Sequence, residues 1–172
     1  MELQDFIHRF SDTAENQTKA IFNSLFIVGN KLQTLFDNHI PEISLKQFML
    51  LSLIRHSKKP FTFTKLGGLL GCSRQNIKKL ASVLEKKGFV TIEQSPADMR
   101  ALCIRPAPKL EDYFENVFSN YQKELSFLFS VYTEEEIRTF FTLFMKLYTG
   151  IECLESMSKD STLISKKENE YE

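Results

Sequence analysis

The chain has 172 residues, of which 42% are hydrophobic and 26% are charged, and its formal net charge is zero. This composition excludes global disorder, and the length suits one domain or one domain with an oligomerisation arm. No apolar run approaches the roughly 18 residues needed to cross a membrane. The first residues lack the basic start and apolar core of a signal peptide. Three widely spaced cysteines without a C-x-x-C pair suit a reducing compartment. The sequence therefore predicts a cytoplasmic protein with no membrane partner.

The zero net charge conceals a strong segregation of charge along the chain. Residues 58–105 contain ten Lys or Arg and only three Asp or Glu, a formal charge of +7, and the remaining residues carry −7. A basic face on a neutral molecule is what contacts with nucleic-acid phosphates require. The segregation therefore favours a DNA partner, although the overall charge is zero.

Apolar residues recur at helical spacing from residue 2 to residue 37, which predicts one long helix. Residues 21–28 are apolar nearly all round, more than a single contact face needs, so we expect burial between the domain and a second subunit. We assign residues 1–40 to an N-terminal dimerisation helix that ends before Pro41.

Residues 41–106 contain the elements of a winged helix-turn-helix. Ser44 and Gln47 form a capping box, which opens a helix through Ser57. Its predicted buried residues are Leu45, Phe48, Met49, Leu51, Ser52 and Leu53. Residues 60–62 can supply a short strand. A helix over 63–70 follows, with Thr62 or Thr64 as its N-cap and Gly71 at its end.

A second helix and a hairpin complete this domain. Ser73 caps a helix over residues 74–87, which Gly88 closes, and β-rich runs at 89–93 and 101–105 flank a tip at 94–100. Helix, turn, helix and hairpin in this order are typical of a winged helix-turn-helix.

The helix over 74–87 has two chemically different faces. An apolar stripe with i, i+3, i+4, i+7 spacing predicts the face packed on the domain, and it consists of Ile77, Leu80, Ala81 and Leu84. The opposite face carries hydrogen-bond donors only: Arg74, Gln75, Lys78, Lys79, Ser82 and Lys86. Such a face can be plainly solvated, but the neighbouring elements and the local charge favour entry into a DNA major groove, where Arg and Lys read guanine and Gln reads adenine.

Two further helices are predicted over residues 107–157. The first begins near Pro108 and runs to about Ser130, and the second is opened by a capping box from Thr133 to Glu136. Both carry phenylalanine-rich apolar stripes, which we assign to C-terminal dimerisation helices. Residues 158–172 are polar and without periodicity, so we expect a disordered tail. The fold class is thus mostly α with a small β-wing.

Residues 71–90 resemble the recognition-helix segment of the MarR family of bacterial winged helix-turn-helix transcription regulators. Residues 96–100 are similar to the Asp-Arg-Arg wing tip of that family, although Met99 replaces the first arginine and residues 105–108 replace the usual junction after the wing. The resemblance implies a homodimer that offers two recognition helices to half-sites roughly 34 Å apart. It also implies a small-molecule pocket between the dimerisation helices and the winged domain.

We therefore predict a sequence-specific DNA-binding transcriptional regulator, a homodimeric repressor on a pseudo-palindromic operator, with a small aromatic or phenolic effector as a candidate for its release. Contacts to phosphate or guanine are assigned to Arg74, Lys78, Lys79 and Lys86, contacts to base edges to Gln75 and Ser82, and Ser73 caps the reading helix within this site. Arg100 should enter the minor groove, with Asp98 orienting the wing tip.

Several alternatives stay open. Cys72 precedes a helix N-terminus near Arg74 and Lys78, where its thiol could act as a redox sensor or simply fill the turn. The chain could also be a winged-helix protein-interaction module, or a DNA-binding dimer with no effector. The three histidines are scattered and residues 67–71 lack phosphate-loop spacing, so we expect no metal, no cofactor and no enzyme activity.

Overall fold

The computed structural model describes residue 5 and residues 9–39, 42–57, 59–96 and 98–168, and for 118–120 and 159–168 the backbone alone. The elements, in chain order, are α1 (Ala14–His39), α2 (Leu45–Arg55), β1 (Phe61–Thr62), α3 (Phe63–Leu70), α4 (Arg74–Lys86), β2 (Val90–Ser95), β3 (Asp98–Pro106), α5 (Lys109–Phe129) and α6 (Glu134–Glu168). The chain divides into two compact units, residues 1–117 and 118–172. The mostly helical fold with a small wing is as predicted.

The wing is part of a three-stranded antiparallel sheet with the order β1-β3-β2. Phe61 of β1 and Ile92 of β2 both pair with Ile104 of β3, which is completely buried at the centre of the sheet. The short strand predicted near residues 60–62 is therefore confirmed. The wing strands extend further towards the tip than predicted, because Ser95 still pairs with Asp98.

The core of the first unit lies where α2, α3, α4, the sheet and the start of α5 meet. Its buried side chains include Leu50, Leu51, Ile54, Leu66, Ile77, Leu84, Phe89, Ile104, Leu110 and Phe114. Burial of each such side chain contributes roughly 1.5–3 kcal/mol. This core fixes the positions of the elements that carry the predicted DNA-binding residues.

Local capping chemistry sets the ends of several helices as predicted. The Ser44–Gln47 capping box is formed, with the Ser44 amide donating to Gln47 Oε1 at 3.1 Å. The corresponding box at α6 is also formed, where the Thr133 amide donates to Glu136 Oε2 at 2.8 Å. Thr62, and not Thr64, is the N-cap of α3.

The predicted buried face of α2 is partly wrong. Phe48 and Leu51 are buried, but Met49, Ser52 and Leu53 are exposed and Leu45 is half-buried. The observed face consists of Gln47, Phe48, Leu50, Leu51 and Ile54. Because most residues from 48 to 54 are apolar, the sequence pattern does not indicate which face points inward. Apart from Phe48, the observed buried residues follow an i, i+3, i+4, i+7 series from Gln47.

Both terminal helices differ from their predicted extents. Asp5, Arg9 and Phe10 are helical, as predicted. Ser11 and Asp12 then form a bend, and Thr13 Oγ1 accepts from the Asn16 amide at 3.2 Å, so α1 begins at Ala14. A polar cap of this kind starts a new helix. Residues 1–4 and 6–8 lie outside the described part of the chain.

At the other end, α6 continues to Glu168, past the predicted end at residue 157. The expectation of a disordered tail from residue 158 is thus corrected as far as Glu168. No glycine or proline interrupts the helix there. The missing apolar periodicity therefore did not indicate the end of the helix. Residues 169–172 lie outside the described range.

The turn between α3 and α4 depends on a close approach at Gly67. A Cβ atom at this position would lie 2.6 Å from the Cys72 carbonyl oxygen, whereas a Cβ at the neighbouring Gly68 would meet no atom within 4 Å. Gly71 ends α3 with a φ of 63°, a left-handed conformation that favours glycine. The turn is therefore tight because residue 67 has no side chain.

We expect Gly67→Ala to lower the free energy of unfolding by about 1–3 kcal/mol, since the added methyl group must displace a backbone carbonyl. The matched control, Gly68→Ala, should raise it by roughly 0.5–1 kcal/mol, because alanine favours an open helical position. Urea denaturation of both variants checks this expectation. Equal effects of the two substitutions would contradict the steric role of Gly67.

Candidate nucleic-acid interface

The rotational setting of α4 is fixed by its apolar stripe. Ile77, Ala81 and Leu84 are completely buried, and Leu80 is half-buried. The opposite face is at the surface: Arg74, Gln75, Lys78, Lys79 and Lys86 are exposed, and Ser82 is half-buried. The six donors predicted for this face lie on one helix and point away from the core.

The first turn of α4 is capped as the sequence predicts. Ser73 Oγ accepts from the Asn76 amide at 3.2 Å, and the Ser73 backbone is extended with a φ of −68°. The cap leaves the hydroxyl proton available to donate outward. Arg74 and Gln75 follow directly and begin the donor face.

An irregularity in strand pairing shapes the tip of the wing. Gln94 pairs with Leu102, but the next residue, Ser95, pairs with Asp98, so β3 carries three additional residues at 99–101. Extra residues of this kind bend a strand and redirect its side chains. The Arg100 amide donates to Asp98 Oδ1 at 2.9 Å, which is the local hydrogen bond expected of Asp98. Met99 and Arg100 are both exposed at this tip.

All three acidic side chains of residues 58–105 accept hydrogen bonds from the wing. Glu85 Oε1 accepts from the Ile92 amide at 2.8 Å, and Asp98 accepts from the Arg100 amide. Glu93 accepts from the Arg105 guanidinium, an interaction that raises the pKa of Arg105. The negative charges of the basic segment thus hold the wing in shape.

The C-terminal end of α4 is tied to two distant parts of the chain. Lys109 Nζ donates to the Lys87 carbonyl at 3.1 Å and to Glu42 Oε2 at 3.3 Å, and it lies 4.4 Å from the centre of the Phe89 ring. Lys87 Nζ in turn donates to the Glu42 carbonyl. Cations near the carboxyl end of a helix are favoured by its dipole. Sequence reasoning missed Glu42 and Lys109 because they are far apart in the chain and belong to no motif.

Comparison with known proteins identifies this domain. Residues 43–102 match the model of the MarR family. Over these residues the chain is similar to the MarR family. The uncharacterised HTH-type transcriptional regulator YcgE of Bacillus subtilis is 31% identical over 83 residues, 48% of this chain and 54% of that protein. This chain thus spans about half the length of the curated relative it matches.

Solved structures of a MarR-family regulator and of a second DNA-binding protein share the fold. The regulator Sco3205 from Streptomyces coelicolor, solved in complex with DNA, is 18% identical, with a TM-score of 0.70 over 81% of this chain and 92% of that chain. Bordetella bronchiseptica BpsR, whose DNA binding is regulated by 6-hydroxynicotinic acid, is 15% identical, with a TM-score of 0.66 over 81% of this chain and 95% of that chain.

Cys72 contributes its backbone to the turn between α3 and α4. Its amide donates to the Gly67 carbonyl at 2.9 Å, and its own carbonyl is the group that approaches Gly67. The Cys72 side chain is half-buried, Cys103 is buried and Cys153 is exposed, and all three are free thiols. The backbone contacts give Cys72 a structural role that does not depend on the chemistry of its thiol.

The described residues hold no group of three or more His, Cys, Asp or Glu side chains that could bind a metal ion. Within the same ranges, none of the helices combines the length and apolar character needed to cross a membrane.

The family resemblance implies an effector pocket. Tyr113, Tyr121 and His39, which lie near phenylalanine-rich helices in the sequence, could line it or could be plain core residues. Tyr113 is buried in the core, with its ring edge-on to Phe89 at 5.0 Å. Loss of solvent, reinforced by the charge of Glu42, raises the pKa of Tyr113 to about 12. Burial also raises the pKa of Tyr121, and His39 is exposed. Tyr113 is thus a core residue of the first unit.

The raised pKa of Tyr113 predicts a loss of stability at high pH. Below pH 10 the phenol is protonated in the folded and the unfolded chain, so it adds no pH dependence. Between about pH 10 and pH 12 the unfolded chain releases this proton first, and the free energy of unfolding falls as pH rises. Denaturation of the wild type and of Tyr113→Phe at about pH 9 and pH 11 measures the effect. The wild type should lose more stability than the variant, and equal losses would contradict the assignment.

Proposed function

We propose that this chain is a sequence-specific DNA-binding regulator of transcription that acts as a homodimeric repressor on a pseudo-palindromic operator. The observation that carries the proposal is the exposed donor face of α4, which the buried stripe of Ile77, Ala81 and Leu84 turns outward. The match of residues 43–102 to the MarR family model and the DNA-bound structure of a protein with the same fold support it. Neutralisation of phosphates by Lys and Arg supplies most of the affinity of such a face for DNA.

The donors fall into two groups with different expected roles. Arg74, Lys78, Lys79 and Lys86 contact phosphates or guanine, and Gln75 and Ser82 reach base edges in the major groove. Arg100, exposed on the bulged tip of the wing, enters the adjacent minor groove, and Asp98 holds the backbone there. This division predicts which variants change specificity and which change affinity alone.

Gln75→Ala should weaken binding to the operator by roughly 1–3 kcal/mol and leave binding to random DNA almost unchanged. Lys86→Ala should weaken binding to all sequences alike and lower the salt dependence by about one unit of slope. Fluorescence anisotropy measures both, with a duplex from upstream of the encoding gene and a scrambled duplex as its control, from about 50 to 200 mM salt. Equal losses on the two duplexes for both variants would refute these roles.

The wild-type protein in the same titration tests the proposed function itself. A preference of 10³-fold or more for the upstream duplex, with a steep salt slope, is the expected behaviour of a specific regulator. An absence of binding at low salt would reject the DNA-binding proposal in favour of a protein-interaction module.

Exposed apolar side chains on α1 and α6 support the proposed homodimer. On α1 the exposed side chains include Phe22 and Phe26, and on α6 Phe141 and Tyr148 are 64% and 58% exposed. Monomeric proteins rarely leave large apolar patches in contact with water, and each of these two helices carries several exposed apolar side chains. A two-fold dimer would cover such faces and place two α4 helices on successive half-sites.

We expect Phe141→Glu to shift the sedimentation of the protein from dimer towards monomer, because it places a charge on the apolar face. Thr142→Glu, at the next exposed position of the same helix, is the matched control and should leave the dimer intact. Analytical ultracentrifugation over a range of protein concentrations distinguishes the two. A wild-type protein that sediments as a monomer would contradict the dimer.

We also propose that a small aromatic or phenolic effector releases the DNA, as the family resemblance implies. A recess beside the end of α2 and the end of β3 has a volume of about 170 Å³. Ligand pockets commonly measure roughly 300–1,000 Å³, so this recess does not support the effector. A thermal-shift screen with aromatic acids and phenols, followed by anisotropy with DNA, tests for release.

A further inference from the structure

Glu85 is the one acidic residue of α4, and the structure gives its side chain a specific partner. Glu85 Oε1 accepts from the backbone amide of Ile92 at 2.8 Å. Ile92 lies in β2, which is at the edge of the sheet. A carboxylate on a DNA-binding helix repels phosphate. The electrostatics of DNA binding therefore do not account for Glu85, whereas its hydrogen bond to the wing does.

Backbone hydrogen bonds also join the end of α4 to the start of the wing, and one of them is the Gly88 amide donating to the Glu85 carbonyl at 2.9 Å. The Phe89 amide donates to the Leu84 carbonyl at 3.0 Å, across a turn in which Gly88 has a φ of 79°. Leu84 and Glu85 are adjacent in the chain. The Leu84 carbonyl holds the turn after α4, and the Glu85 side chain holds β2. Together they fix the direction in which β2 leaves the helix.

The direction of β2 determines where the wing tip lies. Ile92 pairs with Ile104, Gln94 with Leu102 and Ser95 with Asp98, whose side chain holds the Arg100 amide. Ser95 lies three residue steps after Ile92, a distance of roughly 10 Å at about 3.3 Å per residue. A tilt of about 10° at Ile92 would displace the tip by roughly 2 Å, more than a hydrogen bond tolerates.

We propose that Glu85 is a positioning residue that fixes the wing relative to the recognition helix, so that the contribution of Arg100 to DNA binding depends on Glu85. This inference rests on the proposed DNA-binding function and deepens it. The recognition helix and the wing then read DNA as one rigid unit, and the loss of one hydrogen bond uncouples them.

Two substitutions at Glu85 separate the hydrogen bond from the charge. Glu85→Gln removes the negative charge but keeps an oxygen that accepts from Ile92, whereas Glu85→Ala removes both. Any general gain in affinity from the lost charge is the same in both variants. The comparison between them therefore isolates the hydrogen bond.

The test is a double-mutant cycle with Arg100→Ala, measured by anisotropy on the duplex from upstream of the gene at about 50 mM salt. In the Glu85→Gln protein, Arg100→Ala should weaken binding by about 10-fold, as loss of a contact to DNA does. In the Glu85→Ala protein the same substitution should cost less than about 3-fold, because the wing is no longer held in place. Equal losses in the two backgrounds would overturn the proposal. A general loss of stability does not predict this selective effect.

A second measurement does not depend on DNA. Hydrogen exchange of the Ile92 amide, followed by NMR, should be at least about 10-fold faster in Glu85→Ala than in Glu85→Gln, since a hydrogen bond to a polar acceptor protects it. The Val90 amide serves as the reference and should exchange alike in both. Unchanged Ile92 exchange would overturn the proposed link between helix and wing. Failure of the wild type to bind any DNA, with Ile92 exchange as expected, would instead reject the proposed function and with it the dependence of Arg100 on Glu85.

Discussion

The burial of Ile77, Ala81 and Leu84 is the constraint on which the candidate interface depends. Each of these side chains is completely enclosed, and burial of the two larger ones contributes roughly 1.5–3 kcal/mol apiece. Rotation of α4 by a single residue, about 100°, would expose this stripe and bring lysines towards the core at a larger cost. The outward direction of the donor face is therefore a consequence of core packing, and Gly67 permits the close turn that brings α4 into this position.

The acidic residues of the basic segment 58–105 stabilise the structure of the wing. Glu85, Glu93 and Asp98 each accept a hydrogen bond within the helix-and-wing assembly, two from backbone amides and one from Arg105. The hydrogen bond of Glu85 holds the edge strand β2, that of Glu93 links the paired strands β2 and β3, and that of Asp98 holds the tip of the wing. A segment with a formal charge of +7 thus contains the negative groups that give it a defined shape. At the carboxyl end of α4, Lys109 has a comparable structural role, because its ammonium group donates to the Lys87 carbonyl and to Glu42.

Features decided by neighbouring residues could be predicted from the sequence, and features decided by distant ones could not. The caps at Ser44, Ser73 and Thr133 and the glycine at residue 71 follow from local hydrogen bonding and backbone conformation. The buried face of α2 was predicted only in part, because an almost wholly apolar run has no period to read. The contacts of Glu42, Glu85 and Lys109 escaped prediction, since they depend on how separate elements pack. The DNA contacts of α4 and the wing remain a prediction from the donor pattern.

The hydrogen bond between Glu85 and Ile92 also bears on the solubility of the folded chain. An edge strand with free amides is a template on which another strand can add, and proteins protect such edges with charges or with covering groups. Here the Glu85 carboxylate supplies both the charge and the covering group, because it accepts a hydrogen bond from the Ile92 amide of β2 and brings a negative charge to the edge of the sheet. The side chain that orders the wing within one molecule thereby discourages sheet-to-sheet pairing between molecules.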